Sequence, residues 1–186
     1  MPTPQLSSNH RYTVDDYLAW NDGKRYELLH GDVHAMSPAP SWRHQVISGN
    51  LEFEIKSQLR PRKTCHVVYA PIDVYLSHDT VVQPDIIVVC DQKKIEKKGC
   101  VGAPDLVVEI LSPSTAKADW KDKYILYEQS CVREYWIVNP DDALVHVFRL
   151  MDGKFFLDGT YSAADTVKIA IFEDVAIDLR NVFEEG

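Results

Sequence analysis

Two apolar runs of this 186-residue chain each carry an acid. Gln83-Pro84-Asp85-Ile86-Ile87-Val88-Val89 is echoed by Ala103-Pro104-Asp105-Leu106-Val107-Val108-Glu109-Ile110-Leu111. Both read as strands buried on two faces, because Ile, Val and Leu run almost unbroken. Asp85 opens the first run and Glu109 lies within the second. A buried carboxylate without a partner is strongly disfavoured or takes up a proton. Two readings of the pair are open. If the strands are neighbours, Asp85 and Glu109 face each other and could hold a divalent cation. Otherwise Asp85 caps a strand and Glu109 sits in an ion pair, an arrangement that imitates a site.

Hydrolysis of a phosphodiester needs such a cation, a water oriented or deprotonated beside it, and positive charge for the developing phosphorane. A lysine two residues after Glu109 would share its strand face, but that position is Leu111. Asp119, Lys123 and Tyr127 follow at i, i+4, i+8 on one stripe of the next predicted helix. Trp120 and Tyr124 beside them mark the half expected to pack on the sheet. Lys123 either reaches back towards Glu109 or pairs with Asp119 at the surface.

The elements that position these residues are legible from capping and periodicity. Thr13 caps a short helix over 14–20, with Asp16 as its capping-box partner. Residues 26–29 and 33–36 flank His30-Gly31-Asp32 as a hairpin, and Glu27 shares one face with Leu29. Pro38-Ala39-Pro40 interrupts the chain, and Ser41 caps a helix over 42–59 on which Ile47, Leu51, Ile55 and Leu59 recur every four residues. His44 falls on or beside that inward stripe, as a core histidine satisfied by a carbonyl or as part of a site. Strands are expected near 66–69, 72–76, 82–90 and 106–111, a helix over 117–129 and a strand over 134–138. That helix is a crossover, so the strands before and after it should be parallel. A hairpin turns at Asp152-Gly153, and β segments near 167–172 and 176–179 finish a mixed α/β architecture. Ser112-Pro113-Ser114-Thr115 reads as a helix cap or as an anion site at a helix N-terminus.

No linker or low-complexity stretch divides the chain, which reads as one domain over 1–186. No apolar run approaches the ~20 residues a membrane span requires, and the N-terminus resembles no secretory signal. Cys65, Cys90, Cys100 and Cys131 lack C-x-x-C spacing and read as reduced, mostly buried thiols of a cytoplasmic protein. Zinc is not indicated, the seven His being scattered. A net charge of −8 argues against a general polyanion binder but is compatible with carboxylates that a cation neutralises. Basic candidates for phosphate are Lys56, Arg60, Arg62 and Lys63, and the cluster Lys93, Lys94, Lys97 and Lys98; such runs are more often solvated surface.

The chain resembles the PD-(D/E)XK nuclease superfamily, and within it the restriction-endonuclease branch of the Uma-two type. The residues that carry the resemblance are Tyr26-Glu27-Leu28 with Gly31, His44-Gln45, Gln83-Pro84-Asp85, and the run from Pro104 to Thr115. Asp119, Lys123, Tyr127 and the stretch Val132-Arg133-Glu134-Tyr135-Trp136-Ile137-Val138-Asn139-Pro140 complete it. It spans about 12–183. The resemblance implies a restriction-endonuclease-like α/β (α+β) fold, with a mixed central sheet flanked by helices and extra hairpins at both ends. It implies a Mg²⁺- or Mn²⁺-dependent endonuclease acting on DNA, commonly as a homodimer, with no membrane association. Asp85, Glu109 and the backbone carbonyl of Ile110 would be metal ligands, Glu27 an additional acid of the cleft, and Lys123 the motif lysine moved from strand to helix. His44 would complete the site. Asp105 repeats the Pro-Asp dipeptide and is read as structural. Alternatives are a nuclease-fold module without catalysis, and an enzyme for a small phosphorylated substrate, for which no Gly-rich phosphate loop is present.

Overall fold

The computed structural model describes residues 3–4, 10–36, 39–112, 119–172 and 174–184. The first helix, Val14–Ala19 (α1), carries the expected capping box: the Thr13 hydroxyl accepts from the Asp16 N–H, and the Asp16 carboxylate accepts from Thr13. Tyr26–Leu29 (β1) and Asp32–Ala35 (β2) form a hairpin whose turn residues, His30 and Gly31, both have positive φ, as a tight turn matched to strand twist requires. Trp42–Leu59 (α2) starts at its Ser41 cap and buries His44, Ile47, Leu51, Ile55 and Leu59.

The strands His66–Tyr69 (β3), Val74–Ser77 (β4), Thr80–Val82 (β5), Ile86–Val89 (β6), Ile95–Glu96 (β7), Gly99–Val101 (β8) and Leu106–Ile110 (β9) follow. A π-helical turn, Asp119–Lys123, leads into Tyr124–Gln129 (α3). Glu134–Asn139 (β10), Leu144–Met151 (β11), Lys154–Ser162 (β12), Thr166–Lys168 (β13), Ala176–Asp178 (β14) and Leu179–Phe183 (α4) complete the order. The proposed caps Pro113, Ser114 and Thr115, the start of the 117–129 helix and the break at Pro38 lie outside the described residues.

The central sheet runs β12-β11-β10-β9-β6-β3. β9 and β10 are parallel, as a helical crossover demands, and β6 lies antiparallel to β9 with Ile86 opposite Val108. Alternation then sorts the side chains. Ile86, Val88, Leu106, Val108 and Ile110 pack on the α2 stripe, while Ile87, Val89 and Val107 pack with Leu126 and Tyr127 of α3. Both faces are covered, which accounts for the unbroken apolar runs.

Several expectations need correction. The hairpin β1–β2 is not an appendage: β1 also pairs with β5, in a second six-stranded sheet ordered β2-β1-β5-β4-β8-β7. The run near 82–90 is not one strand. It breaks at Gln83-Pro84-Asp85, where the chain leaves β5 of the second sheet and enters β6 of the first, since proline cannot donate to a ladder. The strand near 72–76 begins only at Val74. Trp120, by contrast, does pack on the sheet as expected, edge-on to His146 and Phe148 of β11, though 41% of it stays exposed. The cysteines are not all reduced: Cys65 and Cys90 stand across from each other where β3 pairs with β6 and form a disulfide. Cys100 and Cys131 are free thiols. Among the described residues no helix is long and apolar enough to cross a membrane.

The C-terminal hairpin β13–β14 is joined to the core through Glu134, which is fully buried. Its Oε1 accepts from the Trp136 indole N–H at 2.7 Å and its Oε2 from the Ile171 N–H at 3.2 Å. Burial pushes this carboxyl up to about 7 from 4.5, against the hydrogen bonds from Trp136, Ile171 and Ala170 and the charge of Arg149. The folded protein therefore holds a proton that the unfolded chain releases between those values. The stability so contributed is full below pH 4.5 and is lost as pH rises through 7, about 3 kcal/mol in all. Chemical denaturation of Glu134→Gln should show this decline between pH 5 and 8 removed, while the wild type retains it.

Candidate active site

The sheets meet where Gln83-Pro84-Asp85 crosses between them, and the acids converge there. Asp85 stands one step before Ile86, hence across from Glu109. Its Oδ2 accepts from the Ile110 N–H at 2.8 Å and lies 3.3 Å from His44 Nε2. In a strand a residue's N–H and C=O point to the same lateral side, so the Ile110 carbonyl also opens towards Asp85. His44 enters from the first turn of α2, with its N–H held by the Ser41 cap. Burial pushes the His44 imidazole down, but the hydrogen bond and charge of Asp85, with Gln45 and the Ile110 backbone, raise it overall. Its Nδ1 is buried and has no hydrogen-bond partner among the described residues.

Glu109 meets donors from α3 and from the turn that leads into it. Its Oε1 lies 3.0 Å from Lys123 Nζ and accepts from the Tyr127 hydroxyl at 2.7 Å. Lys123 also reaches Glu27 Oε1 at 3.2 Å. The ammonium thus bridges two glutamates from different sheets, and its side chain is only 8% exposed. It is not an exposed surface lysine; the side chain of Asp119 is outside the described part. Burial and the adjacent Glu109 carboxylate hold the Tyr127 phenol well above its usual value, so it stays a donor.

Glu27 is fixed in turn by the Gln83 N–H, 2.9 Å from its Oε1. The Gln83 carboxamide accepts from Arg25 Nε at 2.8 Å and donates to Asp73 Oδ1 at 2.8 Å. Asp73 also accepts from the hydroxyls of Tyr17 and Tyr75. Burial, then the charge of Asp73, pushes the Tyr17 phenol up to about 12. The structure thus brings together Glu27, His44, Asp85, Glu109, Lys123 and Ile110. Sequence reasoning gave no role to Gln83 or Tyr127. Tyr127 carried a faint signal, one turn beyond Lys123. Gln83 carried none beyond its motif, because its partners lie 10 to 66 positions away.

Asp105 is engaged elsewhere, accepting from the Cys90 N–H at 2.8 Å and from Arg133 at 3.1 Å. Both basic clusters are partly used locally. Lys56 pairs with Glu52, Arg62 with Asp174 and Lys98 with Glu96, while Lys94 donates to the Ala103 carbonyl.

Among the described residues no three His, Cys, Asp or Glu side chains form a metal-holding cluster, so the site is not a closed protein cage. The available donors are two carboxylates and one carbonyl, all oxygen. That set suits Mg²⁺ or Mn²⁺, which keep several waters and need only one or two carboxylates.

Comparison with known proteins bears on the fold and the family. A solved structure titled as a putative nuclease of the DUF820 group, from Anabaena variabilis, superposes with a TM-score of 0.74 at 21% identity, covering 92% of this chain and 97% of that one. The two share a fold. An uncharacterized Synechocystis protein, slr1290, is 27% identical over 172 residues, 90% of this chain and 86% of that protein. Residues 14–180 match the Uma2 family, described as "Putative restriction endonuclease". With nearly the whole chain matched, the protein belongs to the Uma2 family.

Proposed function

We propose that the chain is a Mg²⁺- or Mn²⁺-dependent endonuclease that hydrolyses DNA phosphodiester bonds. The observation that supports this reading most is one buried lysine bridging Glu27 of β1 and Glu109 of β9, with Asp85 on the adjoining crossing bound to the N–H of Ile110, the residue next to Glu109. Asp85, Glu109 and the Ile110 carbonyl would hold the cation. When bound, it supplies Lewis acidity at the scissile phosphate and a more acidic water. Lys123 orients the attacking water and offsets negative charge on the phosphate. Glu27 and Tyr127 fix the ammonium and its glutamate partner, so neither must reorganise as charge develops. His44 holds Asp85 from the α2 side through its Nε2–H.

A second reading, a nuclease-fold module without catalysis, draws on the same ion triad. Lys123 closed between two glutamates is also what a purely structural salt bridge looks like. Purified protein should nick supercoiled plasmid in Mg²⁺ or Mn²⁺, and Lys123→Ala should lower the rate about 10²-fold or more. Equal nicking by both proteins would sink the catalytic assignment. Mn²⁺ titration checks the ligands independently: Asp85→Asn and Glu109→Gln should abolish the binding seen in wild type, and unchanged isotherms would reject the metal site. Tyr127→Phe should keep the fold yet weaken Mn²⁺ binding by roughly 10–100-fold, the usual effect of losing a partner that orients a ligand.

A further inference from the structure

The edge of the second sheet carries a histidine that none of these roles uses. In the β1–β2 hairpin, Glu27 is paired directly with His34. Opposed residues of an antiparallel pair project from the same face, with Cβ atoms about 4.5–5.5 Å apart. The other face, carrying Tyr26 and Leu28, is buried, so the face shared by Glu27 and His34 is the one that turns to the site. β2 is the outermost strand of its sheet, and His34 is exposed. Its same-face neighbour Asp32 is engaged by Arg11. The His34 imidazole makes no hydrogen bond or ion pair among the described residues.

We propose that His34 contacts substrate, donating a ring N–H to a backbone phosphate oxygen of the nucleic acid beside the cleft. This rests on the nuclease reading above. The site gathers three carboxylates, and its lysine is buried between two of them, so a phosphodiester passing the hairpin side of the cleft meets the acid of Glu27 with little exposed positive charge beside it. A donor directly across from Glu27, at the open margin, offsets that repulsion. The imidazole suits this position because an imidazole ring in either form keeps at least one N–H donor. Phosphate contacts position the strand without reading its sequence.

Steady-state nicking of plasmid DNA by wild type, His34→Phe and His34→Gln tests the assignment. His34→Phe keeps a ring without donors and should raise KM about tenfold, the loss of one charge-assisted hydrogen bond, with kcat within about twofold. His34→Gln restores an N–H donor and should recover most of the KM. Thermal unfolding of all three should coincide, since the side chain packs against nothing that the ring must support. Wild-type nicking with an unchanged KM in His34→Phe, or a Gln variant as impaired as the Phe variant, overturns the proposal and leaves the nuclease reading intact. Absence of wild-type nicking removes that reading, and this assignment with it.

Discussion

The ammonium of Lys123, buried between Glu27 and Glu109, is the contact on which the rest of the site depends. Burying three ionised groups carries a desolvation cost of several kcal/mol per ion, which attraction offsets only in good geometry with further hydrogen bonds. Those bonds are present. Tyr127 donates to Glu109 and the Gln83 N–H donates to Glu27. Removing the lysine would leave two carboxylates facing each other in a low-dielectric space. The triad therefore constrains β1, β9 and the helix that crosses from β9 to β10, all at once.

The Gln-Pro-Asp tripeptide explains how two sheets come to share one site. β5 ends at Val82 in the second sheet and β6 begins at Ile86 in the central one. Between them, the Gln83 backbone fixes Glu27, and two residues later Asp85 takes its place beside Ile110 and His44. The proline forbids a ladder bond at the crossing and so marks the change of sheet. Gln83 also ties the crossing to Arg25, Asp73 and Tyr17, which seats the tripeptide beside Glu27.

What the sequence disclosed and what it hid follow from the range of each interaction. The α2 stripe, its Ser41 cap, the parallel crossover and the Asp152-Gly153 hairpin are local signals of period and turn chemistry, and the structure shows each of them. Asp85 and Glu109 were visible because an acid in an apolar run is a local anomaly. The second sheet was not legible. β7 and β8 hold two and three residues, Ile95-Glu96 and Gly99-Cys100-Val101, too short for any period to show. The Cys65–Cys90 bond depends on a register across 25 positions, and the terminal helix α4 is barely more than one turn.

The position of the lysine then has a physical reading of its own. Leu111, the strand position two residues after Glu109, packs against the cluster that contains Leu126 and Tyr127. Its N–H continues the ladder to the Val138 carbonyl. A lysine there would remove apolar contact from beneath α3, the helix whose seating sets the site. Supplying the ammonium from the helix keeps that packing. It also brings something a strand position cannot. One helical turn beyond Lys123, Tyr127 falls on the same stripe, so a single element delivers two donors to one oxygen of Glu109. On a strand, the next same-face residue is displaced by about 7 Å along the axis, too far to share that oxygen. The displaced lysine therefore links the ion triad to the packing of α3, and the geometry of Glu109 is set by the helix as much as by its own strand.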